Sequence, residues 1–238
     1  NEAAAFAQRH DFFHAGGIGD IFVGHVFERL GREAKQARRR AARRDCVLRA
    51  DGENAAMTRC PWLPLQHPLY VEYHDTEWGV PSRDPRYLFE CICLEGAQAG
   101  LSWWTVLQKR ERYRQVFHNF EPAKVAKMTD SQLEKLVLDP GIIRHRGKIL
   151  SVRQNARAWL AIDDPVELIW SFTGGKTIVN HHQTLADFPS KTPESDALSK
   201  ALRKAGFNFV GSTTMHALMQ AVGMVNDHTL DCCRRKAV

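Results

Sequence analysis

The sequence of 238 residues predicts an all-α domain preceded by a segment of different character. Three observations carry this. From Met57 onward apolar residues recur at helical spacing, capping residues punctuate the pattern, and convincing alternating strands are absent. The composition, 44% apolar and 25% charged, is that of an ordinary globular chain. No run approaches 18 uncharged apolar residues, so no membrane-spanning helix is expected. The first twenty residues lack a basic start followed by an apolar stretch, so secretion is not expected. Six cysteines are too few for a disulfide scaffold in a chain this long. They read as reduced thiols, some of them potential metal ligands.

Residues 1–56 have an Ala-rich opening, a Gly-rich turn and then "KQARRRAARRD". The cluster of Arg38, Arg39, Arg40, Arg43 and Arg44 fits either a DNA-binding arm or a solvated tail. The net charge of +6 likewise fits either an anionic partner or a basic surface without a ligand. The working domain is expected to span 57–238, with 1–56 a flexible or dispensable extension.

Within that domain, Asp84–Pro85 is a helix start, an N-cap acid followed by proline at N1. Leu88, Ile92 and Glu95 continue its stripe to about Gly100. Ser102 caps a helix expected to carry Trp103, Val106, Leu107, Tyr113 and Phe117. Thr129 to Gln132 forms a capping box, opening a helix through Leu133, Leu136 and Val137. "DPGII" at 139–143 ends it, because proline and glycine break the hydrogen-bond ladder. A long helix follows from about Arg144, with Ile149, Val152, Ala156 and Leu160 on one face. Further helices are expected at 165–172, 194–205 and 213–222.

Three constellations carry chemistry. Cys60 and His74 stand near the start of the domain, and His228 and Cys232, one helical turn apart, near its end. Two sulfurs and two imidazoles suit a closed tetrahedral zinc site joining the two ends. The spacing also suits buried cysteines with incidental histidines. Cys91 and Cys93, two apart on a helix, read as packing. Second, a capped helix, the turn at Gly141 and a long helix read as a helix-hairpin-helix. In it, backbone N–H groups with Arg144, Arg146 and Lys148 would meet a DNA phosphate. An ordinary helix connection fits the same pattern. Third, Trp62, Tyr70, Tyr73, Trp78 and the Trp103–Trp104 pair surround Glu95 in the sequence. Flat rings around a carboxylate suit a cationic aromatic ligand, although aromatic residues also simply fill cores.

The segments "RCPWLPLQHPLYVEYHDTEWGVP", "LFECICLEGAQAGLSWWTVLQKRERYRQVF", "DPGIIRHRGKI" and "GFNFVGSTTMHALMQAVGMVNDHTLDCC" together resemble the DNA-3-methyladenine glycosylase I family over about 59–233. The resemblance implies a helix-hairpin-helix DNA glycosylase fold with zinc on Cys60, His74, His228 and Cys232. It implies excision of 3-methyladenine from alkylated double-stranded DNA, by a cytoplasmic, nucleoid-associated monomer. Glu95 then falls on the lesion-recognition acid, an ionised carboxylate that favours the cationic methylated base. Tyr73 falls on a base-contacting tyrosine and Trp103 on a stacking aromatic. Trp62 and Trp78 fall on pocket-lining tryptophans, with Tyr70 in the same group. Gly100 and Leu101 fall on the wedge side facing DNA. Asp163 and Asp164 lie where hairpin relatives place a general base, but the family lacks that catalyst and neither is assigned a role. The hairpin holds no lysine, so hydrolysis without lyase chemistry is expected. The contrasting reading is a zinc-stabilised DNA-binding module without catalysis, for which a buried acid serves no purpose. A glycosylase for another alkylated purine is a second enzyme reading.

Overall fold

The computed structural model describes residues 58–238, within the second of two compact units, 42–238. The expectations for 1–56, the arginine cluster and a start at Met57 lie outside the described residues. Ten α-helices dominate those residues: α1 (Pro68–Thr76), α2 (Pro85–Gln98), α3 (Trp103–Leu107), α4 (Arg110–Val116), α5 (Pro122–Val125), α6 (Asp130–Leu136), α7 (Arg146–Leu160), α8 (Pro165–Ser171), α9 (Pro193–Lys204) and α10 (Ser212–Ala221). Two strands of two residues, β1 (Ile178–Val179) and β2 (Val225–Asn226), pair in parallel.

The capping residues act as the sequence implies. The Asp84 carboxylate accepts from the backbone N–H groups of Arg86 and Tyr87, with Pro85 at N1 of α2. Ser102 accepts from Thr105 N–H at the start of α3. The Thr129–Gln132 capping box opens α6. Asp164 accepts from Glu167 N–H, so it caps α8.

The core is organised around α2, in which every residue from Leu88 to Ala97 is buried. Helices α7 and α10 pack against it. A helix covered this fully is expected to be apolar all round, yet α2 carries two acids. Glu90 is answered by Arg114, whose Nε donates to it at 2.9 Å. Glu95 is not answered, as described below.

Four details differ from the sequence reading. The helix expected after Ser102 breaks at Lys109 into α3 and α4, and beyond the break Arg110 turns inward to bind Glu77 through two hydrogen bonds of 2.7 and 2.9 Å. Leu160 is 53% exposed and does not share the buried face of α7, because the buried stripe steps from Ala156 by three residues to Trp159 instead of by four. Trp159 fills that place, its ring 5.6 Å from Phe89. Lys148, expected beside a phosphate, is buried. Its Nζ donates to Ala97 O at 2.9 Å and Ala99 O at 2.6 Å. It thereby satisfies carbonyls left open at the end of α2 and ties α7 to it. Finally, β1 and β2 were not foreseen, since two residues give no alternation to read.

Gly223, at the end of α10, has φ +71°, and a Cβ there would come within 2.4–2.6 Å of the Val80–Pro81 backbone. This close approach holds the segment after α1 against α10. Gly223→Ala is therefore expected to destabilise the protein by on the order of 3 kcal/mol, from backbone strain plus overpacking. Equilibrium denaturation of the two proteins measures it.

Candidate active site

Glu95 comes from the last turn of α2 and is 3% exposed. It lines a cavity of about 330 Å³ together with Trp62, Tyr70, Tyr73, Trp78 and Trp103, a size within the usual range for small-ligand sites. Each aromatic residue expected at the lesion pocket is thus brought to the acid. Trp62 packs edge-on to Trp78 with ring centroids 4.8 Å apart, and Tyr73 leans on Trp103 at 5.3 Å. Trp104 points elsewhere: it stacks on His67 at 4.3 Å and on Tyr70 at 5.9 Å.

The polar atoms of this cavity lack partners. Among the described residues, seven buried side-chain nitrogen and oxygen atoms have no hydrogen-bond partner. Five of them belong to cavity residues: Glu95 Oε2, the indole nitrogens of Trp62 and Trp103, and both ring nitrogens of His216. Buried polar groups are nearly always paired, and an orphan costs roughly 1–3 kcal/mol. Such a cluster fits a ligand that supplies both donors and acceptors.

Charge tells the same story. Glu77 and Glu90 each have an arginine, while burial without a counter-charge pushes Glu95 up to about 8. Without a cation beside it the side chain therefore favours its neutral form. Ionisation becomes favourable only when a cation enters. Burial, followed by the nearby Glu95, raises Tyr70 to about 12 and holds Tyr73 well above its ordinary value. Both phenols remain O–H donors.

Behind the aromatic wall, Cys60, His74, His228 and Cys232 are all buried, with their ligand atoms within 4.8 Å of one another. His228 Nδ1 lies 3.5 Å from Cys60 Sγ and 3.4 Å from Cys232 Sγ, and His74 Nε2 lies 3.5 Å from Cys232 Sγ. The other nitrogen of each ring is occupied. His74 Nδ1 is 2.8 Å from the Asp75 carboxylate, and His228 Nε2 is 3.3 Å from Trp78 O. Such outer contacts orient imidazoles toward a metal. Burial, then the charge of His74, lowers His228 to about 3, which keeps its ring neutral as a ligand must be. The cluster can hold a metal ion. It also supports the cavity: Trp62 lies 5.4 Å from His74, and Trp78 lies 4.6 Å from His228.

At the turn between α6 and α7, Gly141 N–H donates to Asp139 Oδ1 at 2.8 Å, and Asp139 in turn binds Arg112. Arg144 and Arg146 are exposed, with Arg146 paired to Glu134 at 2.7 Å. Leu101, just beyond α2, is 42% exposed. Asp163 is exposed and, like Asp164, does not line the cavity. The sequence reading missed the wall made by α10 and by the 185–190 segment, including Thr213, His216, Gln220 and Phe188. A signal was present: Thr213, His216, Ala217 and Gln220 follow i, i+3, i+4, i+7 spacing and place polar groups on one face of an otherwise apolar helix.

Helical fold, unpaired buried acid and aromatic cage together define a helical protein with a small-ligand cavity of a shape and lining that suit a flat ring. The profile described as methyladenine glycosylase matches residues 62–235, and the chain belongs to that family. It is 55% identical to DNA-3-methyladenine glycosylase 1 of Escherichia coli (strain K12), the match covering 74% of this chain and 96% of that protein. It is 52% identical to DNA-3-methyladenine glycosylase of Haemophilus influenzae, with the same coverage of both. A crystal structure of 3-methyladenine DNA glycosylase I superposes with a TM-score of 0.72 at 52% identity, covering 74% of this chain and 98% of that one.

The raised proton affinity of Glu95 sets a pH dependence of stability. Between about pH 4.5 and 8 the unfolded chain has released a proton that the folded chain keeps, so the folded state loses ground as pH rises. Each tenfold difference in proton affinity is worth about 1.4 kcal/mol. Glu95→Gln is therefore expected to melt at a higher temperature than the unsubstituted protein above pH 8, with the two curves converging near pH 5. Thermal melts across that range decide it, and a gap independent of pH contradicts the burial argument.

Proposed function

We propose that this chain is a monofunctional DNA-3-methyladenine glycosylase, a repair enzyme that hydrolyses the N-glycosidic bond of 3-methyladenine in alkylated duplex DNA. The observation that carries this reading is Glu95, buried among aromatic rings with no counter-charge. Methylation at N3 gives adenine a fixed positive charge. That base flips into the cavity between Trp103 and Tyr73, and Glu95 ionises as it enters, accepting hydrogen bonds from the donor edge of the base. Unstacking costs a few kcal/mol and is cheapest at damaged pairs. Stacking on indole returns roughly 1–3 kcal/mol. Neutral adenine gains no such pairing, so it is left in the helix.

The same charge drives the reaction. When the bond between the purine and C1′ breaks, its electron pair moves onto the base and cancels the cationic charge. Water adds to C1′ and gives up a proton, leaving an abasic site and free 3-methyladenine. Such a leaving group needs little acid–base help, in keeping with Asp164 being engaged as a helix cap. No lysine lines the cavity, and Lys148 is engaged by the carbonyls of Ala97 and Ala99, so no covalent imine to DNA is expected.

Zinc is the metal that suits Cys60, His74, His228 and Cys232. The donor set is two sulfurs and two nitrogens, with three of the six ligand–ligand edges at 3.4–3.5 Å and none above 4.8 Å, which suits a tetrahedron built on zinc–ligand distances of about 2.0–2.3 Å. All four positions are protein ligands, so the ion serves as a staple behind the cavity. Helices α6 and α7 act as a helix-hairpin-helix, with Gly141, Arg144 and Arg146 at the DNA backbone and Leu101 wedged into the stack. Lys148 supports that face from inside by holding α2. Residues 57–238 form the working domain, which acts as a cytoplasmic monomer.

Two outcomes test this. Glu95→Gln is expected to lower kcat/KM for release of 3-methyladenine from methylated DNA by roughly a hundredfold, with metal content unchanged. Equal release by both proteins contradicts the role given to Glu95. The purified protein is expected to carry one zinc per chain. Its removal by a chelator, or Cys232→Ser, should lower Tm by about 10 °C or more. Elemental analysis paired with calorimetry provides the check.

A further inference from the structure

His216 is another cavity residue whose buried polar atoms make no hydrogen bond, and it comes from α10, whereas Glu95 comes from α2. It is 2% exposed, and neither ring nitrogen has a hydrogen-bond partner. A histidine serving only as filler would be expected to bind a neighbour, and one is close. The Asp227 carboxylate lies 3.7 Å from His216 Nε2. Asp227 itself is held firmly: Oδ1 receives Asn180 Nδ2 at 2.6 Å and lies 3.0 Å from His182 Nε2, and Oδ2 receives Gln220 Nε2 at 2.8 Å. The ring nitrogen facing this carboxylate is the one that carries the imidazole proton. The lone pair is then on Nδ1, an acceptor left for the ligand.

We infer that His216 is a specificity-determining residue of the pocket, its Nδ1 accepting a hydrogen bond from the exocyclic amine of the flipped methylated adenine. The inference rests on the glycosylase reading above and deepens it. An exocyclic amine has two N–H donors, and Glu95 alone engages only part of the donor edge. A second acceptor on another helix measures whether position 6 of the purine bears an amine. A base with a carbonyl oxygen at that position, such as 3-methylguanine, instead sets acceptor against acceptor. Sites built to hydrogen-bond one polar group reject the analogue that lacks it, because their own buried atoms are left unpaired.

The experiment uses the full-length zinc-loaded protein and two free bases, 3-methyladenine and 3-methylguanine, with binding followed by tryptophan fluorescence. His216→Phe is expected to weaken 3-methyladenine by roughly tenfold and to leave 3-methylguanine no weaker, so the preference narrows by at least the same factor. In the unsubstituted protein, the ¹⁵N resonance of His216 Nδ1 is expected to move on saturation with 3-methyladenine and to stay still with 3-methylguanine. This second measurement stands even if His216→Phe fails to fold. An unchanged preference in a folded His216→Phe, or a resonance that ignores 3-methyladenine, overturns the role of His216 and leaves the glycosylase reading intact. Failure of the unsubstituted protein to release 3-methyladenine from methylated DNA overturns both.

Discussion

An acid inside a protein without a partner is costly, and the whole arrangement turns on why Glu95 is kept that way. Two other buried glutamates, Glu77 and Glu90, are each neutralised by an arginine from α4. The protein therefore has the means to pair a buried carboxylate and does not use it at Glu95. On the glycosylase reading proposed above, leaving the site uncompensated places an energetic demand in the cavity that a cationic ring meets and a neutral ring of the same shape does not. Discrimination then needs no detailed reading of shape. It needs a low-dielectric surrounding, which the indole and phenol rings provide, because attraction between charges grows as water is excluded.

Keeping such a cavity open requires rigid walls. Tyr73 and His74 are neighbours on α1: one faces the cavity and the other the four-residue Cys/His cluster. Trp62 and Trp78 stand between the two, resting on the histidine rings. The cluster thus acts on the site mechanically. It draws the first described segment, which holds Cys60, against the last, which holds His228 and Cys232. On the far side α10 closes the cavity, and the Gly223 contact holds α10 to the segment after α1. Lys148 fixes the end of α2, one turn beyond Glu95.

Much of this was legible in the sequence, for physical reasons that differ by feature. The caps at Asp84, Ser102 and Thr129 are local, so a few residues suffice to read them. The Cys/His set could be picked out because few residue types ligate metals, although its spacing alone also suited buried cysteines with incidental histidines. Glu95 stood out as an acid on a core-facing stripe. What could not be read depended on tertiary packing. Lys148 looks like a surface cation in "RHRGK", and only the folded chain reveals that its stem is buried and its amine caps another helix. The shift of Glu95 toward its neutral form could not be read, because burial without a partner is a property of the surroundings. The β1–β2 pair is too short for periodicity, and His216 became meaningful only once α10 was placed across the cavity.

A direct examination of the central interaction is a ¹³C titration of the Glu95 carboxyl in the ligand-free protein, followed by NMR. A midpoint near pH 8 establishes that the acid is stored in its neutral form, awaiting a positively charged partner. A midpoint near 4.5, the value of a solvated glutamate, shows that water or an unseen partner already satisfies the group, and the explanation of selectivity built on its isolation then fails.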